Sequence, residues 1–433
     1  MRIKFFLWIL VYFTSAFVFG QDTSKVYKKR VLETTEIDFL TSYYTQDGDN
    51  AAVTGGIGTE KLTDATATFV ISIPLNDDDV LSIDAGISAY TSASSSNVNA
   101  LDGKNGADPF QASTGASGSD SWINFTGAYN HSSDDRNKIW STKISISSEY
   151  DYFSAGFGGS YTHLFNEKNT SLNISGNIFI DTWNAIYPSE LRPYEGGRIG
   201  SLGSYDITGN QNYQPIFNEF SNEGRNSYSL GIGFSQILHK KLQGSLAIDF
   251  IKQQGLLSTP FQRVYFSDIE DSFIDNFHLA DDIERLPKNR LKVAVGGRLS
   301  WYINERLVVK SFLRYFSDDW GINSLTANIE VPIKIAYKFT LYPSYRFYSQ
   351  TAAHYFGKYN EHLSTSKYYT SDYDLSKFSA NQFGFGVSYT DIFTKFQLGK
   401  FGLKSVDVKY YQYDRNTSFS SSIITAGIKF VMG

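Results

Sequence analysis

Apolar and polar residues alternate in segments of about ten from one end of the chain to the other, the length a tilted strand needs to cross a membrane. Tyr228, Leu230, Ile232 and Phe234 alternate with Ser227, Ser229, Gly231, Gly233 and Ser235. Leu242, Leu246, Ile248 and Phe250 do so against Gln243, Ser245 and Asp249, and Leu291, Val293, Val295, Leu299 and Trp301 against Lys292, Gly296 and Arg298. Leu172, Ile174, Ile178 and Ile180 repeat the pattern against Ser171, Asn173, Ser175, Asn177 and Asp181. Each such strand has one greasy and one polar face, and their repetition predicts an all-β, up-and-down antiparallel transmembrane barrel with a polar interior.

The alternation predicts about sixteen strands, with 14 to 18 compatible with the pattern. They run Arg30 to Tyr44, Ala65 to Pro74, Val80 to Ala93, Ser121 to His131, Lys138 to Ser148, Tyr152 to Phe165, Thr170 to Trp183 and Asn226 to Leu238. The second half reads Lys241 to Lys252, Asn289 to Tyr302, Arg306 to Phe316, Ile322 to Ile333, Lys338 to Gln350, Lys377 to Tyr389, Phe401 to Tyr413 and Ser420 to Gly433. In the last, Ile424, Ala426, Ile428, Phe430 and Met432 form the apolar face; Thr425, Gly427, Phe430 and Met432 fit an assembly signal read by barrel-insertion machinery. Pro343 removes a ladder donor and predicts a bulge or displacement, and Glu33, Glu36 and Asp38 blur the register of the first strand.

Connections sort by parity. Long ones follow odd strands, at Thr45 to Asp64, Ser94 to Asp120, Asn184 to Arg225, Gln253 to Lys288 and Thr351 to Ser376. Those after even strands are mostly tight, at Asn76 to Asp79, Ser132 to Asn137, Asn166 to Asn169, His239 with Lys240, and Ile303 to Glu305. Outer-membrane barrels have this asymmetry, with long extracellular loops and short periplasmic turns. Tyr43, Tyr44, Tyr90, Trp122 and Trp183 fall at expected outer ends and Trp301 and Tyr302 at an inner end, as interfacial aromatic belts would.

Composition narrows the picture. The 433 residues are 19% charged and 16% aromatic, with 35 Gly and 9 Pro, which excludes a disordered chain. A net charge of -5 without a basic patch argues against a nucleic-acid partner. No cysteine is present, so disulfides, thiolate metal sites and a lipidated leader are all excluded. Arg2 and Lys4 precede an apolar run from Phe5 to Phe19, and Val18 and Gly20 are small residues at a cleavage site, so residues 1-20 read as a signal peptide. Residues 21-433, from Gln21, then form a single barrel domain.

On the inward parity stand Asp84, Lys143, Asp249, Arg298, Lys310, Arg314, Arg346, Asp407 and Lys409. A charge facing lipid near the midplane costs about 2–4 kcal/mol, so these are expected to line the lumen. They either line a water-filled path or pair across a plugged interior; both signs interleave without a one-sign ring, which favours pairing for most of them. In the first long connection Asp47, Asp49 and Asn50 are weak calcium candidates, without the spacing of a complete calcium loop. Asp77, Asp78 and Asp79 read as turn chemistry. The segment Thr259, Pro260, Phe261, Gln262 and Arg263, with Glu284, Arg285 and Arg290, is long enough to fold over the mouth.

An enzyme would need a nucleophile and base together. His131, His163 and His239 fall near inner ends, and His278, His354 and His362 in outer loops; His354 and His362, with Glu361 and Asp372, form the best candidate for acid-base or metal chemistry. No GxSxG or HExxH sequence occurs, and no catalytic residue is assigned.

The run Tyr43, Tyr44, Gln46, Asp47, Gly48, Asn50, Ala52, Val53, Thr54, Gly55, Gly56, Ile57, Gly58, Thr59, Glu60 and Leu62 resembles a family of uncharacterised Bacteroidota outer-membrane proteins, domain of unknown function 3570. Pro74, Leu75, Asp78 and Asp79 and the segment Tyr90, Thr91, Ser92, Ala93 and Ser94 also fit it. The resemblance implies an outer-membrane barrel over nearly the whole mature chain and carries no site residues. It also implies an envelope redox context, because such proteins accompany thioredoxin-like and flavin-transferase proteins.

The sequence thus leads to three expectations: an outer-membrane pore, transporter or scaffold; an enzyme with a His/acid loop site; or a sheath for a redox lipoprotein. The expected partners are outer-membrane lipid, the assembly machinery and a periplasmic or lipoprotein partner, with no cofactor beyond calcium.

Overall fold

Alternation becomes a continuous ladder in the structure, a computed structural model that describes residues 29–91, 119–203, 205–220 and 224–432. The leader read at 1–20 and nearly all of the connection read at 94–120 lie outside these residues. The first eight strands are β1 (Glu36–Gly48), β2 (Leu62–Pro74), β3 (Asp79–Thr91), β4 (Ser119–Ser132), β5 (Lys138–Ser148), β6 (Tyr152–Phe165), β7 (Thr170–Trp183) and β8 (Arg225–His239). The rest are β9 (Leu242–Gly255), β10 (Asn289–Asn304), β11 (Leu307–Asp318), β12 (Asn323–Glu330, resumed at Ile333–Lys334), β13 (Phe339–Leu341 and Ser344–Gln350), β14 (Phe378–Thr390), β15 (Phe401–Arg415) and β16 (Phe419–Met432). Each pairs antiparallel with its neighbours, and β16 closes on β1 from Glu36 opposite Val431 to Gly48 opposite Phe419. The result is a closed antiparallel barrel of 16 strands with almost no helix.

The register fixes which residues look out. Phe39 lies opposite Phe69 on one side and Ile428 on the other, and these share the outer wall with Ile424, Ala426, Phe430 and Met432. Thr425, Gly427 and Lys429 take the inner face, where Lys429 reaches Glu36 at 2.8 Å and Asp38 at 3.3 Å across the seam. The outer wall is apolar and uncovered: Leu246 is 63% exposed and Phe383 60%. The aqueous-soluble alternative would leave such a surface in water, far beyond the usual size of an exposed apolar patch.

The first strand starts six residues later than its expected Arg30. Residues 30–35 instead run beneath the turn after β2, where Arg30 pairs with Asp77 at 2.8 Å and the Val31 N–H donates to the Asp77 carbonyl. The three aspartates are therefore more than turn chemistry. Asn76 caps the turn by accepting from the N–H groups of Asp78 and Asp79, Asp78 pairs with Arg136, and Asp79 meets His131 at 2.6 Å. At Pro343, β13 breaks as expected, and β12 breaks opposite it at Val331 and Pro332; the Val331 N–H donates to the Pro343 carbonyl at 2.9 Å.

The expected aromatic belt needs correction. Of the five aromatics placed at outer ends, only Tyr43 lies on the outer wall; Tyr44, Tyr90, Trp122 and Trp183 occupy the inner parity. Their strands end by meeting the long connections, so these rings pack inward, as when Trp183 packs edge-on against Phe261. At the short-turn end Trp301 is on the outer wall, together with Trp140, Tyr161 and Tyr389.

Candidate functional site

The buried core of the chain is in the connections, not the barrel. Tyr187, Leu191, Tyr194, Leu202, Tyr213 and Phe217 from the β7–β8 connection pack against Tyr265, Ile274, Phe277, Leu279, Ala280 and Ile283 from the β9–β10 connection. Short ladders stitch them, Ser272–Ile274 with Ile207–Gly209 and Arg263–Val264 with Asp282–Ile283. The β1–β2 connection joins through Val53, whose carbonyl accepts from Arg263 Nη1 at 3.0 Å. The β13–β14 connection joins where Tyr369 donates to Asp282 at 2.5 Å and Thr370 to Glu284 at 2.5 Å. Four connections thus form one folded cap over the long-loop end.

Two observations explain why the cap is a fixed body. Arg263 forms a fork with Glu190, Nε to Oε1 at 2.6 Å and Nη2 to Oε2 at 3.1 Å, and both side chains are fully buried. A bidentate charge pair in such a site holds a single geometry. The cap is also fastened to the rim: Trp320, after β11, packs with Leu257 and Leu286, and Arg290 lies over its ring at 4.3 Å while pairing with Asp318 at 2.5 Å. The segment from Thr259 to Arg263 does fold over the mouth, and Thr259 N–H donates to Glu284 at 2.6 Å. Glu190 is not singled out by the sequence, although the apolar residues at 187, 191, 213 and 217 in a nominal loop are a signal of a core.

The cap holds acidic groups far from water. Burial pushes the Glu284 carboxyl up to about 8, helped by the charge of Asp372, against the donors Thr370 and Thr259. Burial likewise pushes Asp281 up to about 7, with Asp271, Asp282 and Asp268 adding repulsion and the Phe266 N–H opposing it. A carboxyl whose folded value is raised favours the fold fully below its unfolded value near 4, and this contribution is lost as pH rises through the folded value. The cap should therefore loosen between about pH 4 and 8: limited proteolysis of residues 184–288 should run about tenfold faster at pH 8.5 than at pH 5.5, and Glu284→Gln should flatten that dependence. Equal rates at both pH values in the native chain would contradict it.

His354 and His362, the best candidates for acid-base or metal chemistry, both make close contacts within the connections. His362 Nε2 donates to the Thr370 carbonyl at 3.1 Å and is buried, which lowers its pKa. The His354 ring lies against Gly321, whose φ of 95° and tight contact exclude a side chain. Glu361 accepts the Lys358 N–H, and Asp372 caps the turn at Tyr373–Leu375. His278 stacks between Tyr265 at 4.3 Å and Phe273 at 4.8 Å. Of the calcium candidates, Asp47 lies 3.7 Å from Lys61, and Asn50 donates to the Thr417 carbonyl at 2.6 Å. Among the described residues no group of three or more His, Cys, Asp or Glu is arranged to hold a metal ion.

Below the cap, the register puts all nine candidate charges on one face of the wall, the one shared with Thr425, Gly427 and Lys429. They do not form the expected network. Lys310 pairs with Glu330 at 3.3 Å and Arg314 with Asp249 at 3.9 Å, while Asp84 accepts from Asn124 at 3.4 Å. Arg298 lies 5.2 Å over the Phe312 ring and Lys409 5.2 Å over Tyr342. Lys143, Arg298, Arg346, Asp407 and Lys409 have no ion pair among the described residues. Arg298, Lys310, Phe312, Asn328, Arg346 and Gln382 border a cavity of about 570 Å³ in this wall.

A family model described as "Protein of unknown function (DUF3570)" matches residues 10–422. No curated protein matches the chain significantly. Among solved structures, the chain is similar to a bacterial polysaccharide outer membrane secretin, with 11% identity and a TM-score of 0.45 over 93% of this chain and 100% of that one. It is also similar to the outer membrane protein OpdK from Pseudomonas aeruginosa, with 8% identity and a TM-score of 0.38 over 92% and 99%. A third is the siderophore receptor PirA from Pseudomonas aeruginosa, with 10% identity and a TM-score of 0.40 over 90% of this chain and 57% of that one.

Proposed function

For a chain that belongs to the DUF3570 family of unknown function, we propose a role as an outer-membrane passage for small polar solutes, with the long loops outside and their folded cap covering the entrance. The observation that carries this reading is the exposure of inner-face side chains beneath the cap. Arg298 and Arg346 are exposed, and even Leu40, opposite Gly427 on the inner face, is 46% exposed. Among the described residues no plug or paired charge covers these groups, which supports a water-filled middle of the barrel. The apolar outer wall supports a place in lipid, and a cleaved leader and a Bacteroidota source belong to the same reading.

Reconstitution in planar bilayers tests it. The native chain is expected to give conductance steps, and a variant lacking cap residues 262–284 larger ones. Zero conductance from both would overturn the passage. Calcium, an enzymatic role for His354 and His362, and a redox partner threaded through the lumen have weaker support, since Asp47, Asn50, His354 and His362 already pack against or bond other residues of the chain and the cap lies over the entrance.

A second reading, docking of a periplasmic partner, is favoured by one surface. At the short-turn end Ile335, Tyr337, Ile392, Phe393, Phe396 and Leu398 are all exposed, on two turns tied together by Lys338 and Asp391 at 3.0 Å. Replacing Phe393 and Phe396 with Ser should abolish recovery of any co-purifying envelope protein while leaving conductance unchanged.

A further inference from the structure

We propose that the cavity of about 570 Å³ in the β10–β14 wall is a binding site for a small dianionic solute whose charged groups are carboxylate or phosphate. The inference rests on the passage reading for its biological sense, and on the geometry of two rows of residues for its chemistry.

The first row crosses five strands at one level: Arg298 lies opposite Phe312, Phe312 opposite Asn328, Asn328 opposite Arg346, and Arg346 opposite Gln382. The second, one inward position nearer the short turns, places Ser300, Lys310, Glu330 and Ser344 in the same sequence. Both rows line the cavity. With strands about 4.8 Å apart, the two arginine backbones stand roughly 14 Å from each other, a separation that two long side chains can narrow around a ligand of a few atoms.

The charges are unequal. The cavity is lined by three cations, Arg298, Lys310 and Arg346, and by one carboxylate, Glu330. Glu330 is already engaged, 3.3 Å from Lys310. Neither guanidinium has a carboxylate partner among the described residues, and Arg298 is instead held over Phe312 at 5.2 Å. The nearby Asp249 is engaged with Arg314 at 3.9 Å, so among the described residues no acid neutralises the pair.

Two unpaired guanidiniums in a walled cavity focus anions. A guanidinium presents a planar fork that matches carboxylate and phosphate oxygens bidentately, which a lone lysine does not. Asn328 and Gln382 add neutral amide donors in the same row, suited to the remaining oxygens or to hydroxyls. The excess of two positive charges favours a dianion over a monoanion, and a neutral solute finds no partner for either arginine.

Isothermal titration of the full chain in detergent, using succinate and inorganic phosphate as probes with acetate and glucose for comparison, tests the proposal. Saturable succinate or phosphate binding is expected, stronger than for acetate and absent for glucose. Arg298→Gln and Arg346→Gln should each weaken it about tenfold or more, the loss expected from a charge-assisted contact. Lys240→Gln, a charge removed from a turn tip outside the lumen, should not. Heat-modified mobility in gels confirms that each variant is a folded barrel, and Arg346→Lys, which keeps the charge and loses the fork, should retain only part of the affinity.

Absence of binding to either dianion, or native affinity in both glutamine variants, overturns the site. Conductance is a separate readout: dianion binding in a barrel that conducts nothing, with or without its cap, would remove the passage and leave the site. Conductance without dianion binding would do the reverse.

Discussion

Arg263→Ala is expected to undo the cap and spare the barrel. The substitution removes one half of a fully buried pair and leaves the Glu190 carboxylate without its partner. Breaking a buried pair in this way costs about 3–5 kcal/mol, because the remaining charge stays desolvated. It also leaves the Val53 carbonyl without its donor and removes the contact with the Phe277 ring. Those losses fall on three of the four connections at once. The ladders of the barrel wall do not include Arg263, so gel mobility of the unheated protein should be unchanged. Trypsin should then cut within residues 184–288 under conditions where the native chain resists, and conductance should rise. A native cleavage pattern in Arg263→Ala would show that the cap is held by its apolar packing alone.

Removal of residues 430–433 is expected to have the larger effect, abolishing the closed barrel. Phe430 and Val431 pair with Ile37 and Glu36, and the Met432 N–H donates to the Thr35 carbonyl, so the truncation opens the seam at its short-turn end. The remaining ladder exposes two strand edges that nothing else can satisfy in lipid. The truncated chain should be exported and fail to reach a heat-modifiable form. A truncated chain that still resists unfolding in detergent would show that the seam from Asp38 to Gly48 suffices.

The barrel was legible because its signal is local. Alternation at Tyr228 to Phe234 or Leu242 to Phe250 is a property of a few consecutive residues, and each strand pairs with its neighbour. The seam followed from the even strand count. Legibility failed where partners are distant in sequence. The fork between Glu190 and Arg263 spans 73 positions, and nothing local to either residue distinguishes it from an exposed loop charge. The same limit explains the lumen: alternation identifies Arg298 and Arg346 as inward-facing, while the register that aligns them through Phe312 and Asn328 exists only once five strands are laid side by side. The aromatics misled for a related reason. Tyr44, Tyr90 and Trp183 are interfacial residue types at the right height, and one step of parity turns them toward the cap.

The bond from Met432 to the Thr35 carbonyl means that the chain enters and leaves the wall at one point of the rim, with Arg30 and Arg136 holding the entering segment against the neighbouring turns. The barrel is thus a ring whose covalent opening happens to lie there and need not. Splicing the ends together and cutting at another short turn, such as the one between His239 and Leu242, would preserve every ladder and give a circular permutant with the same walls.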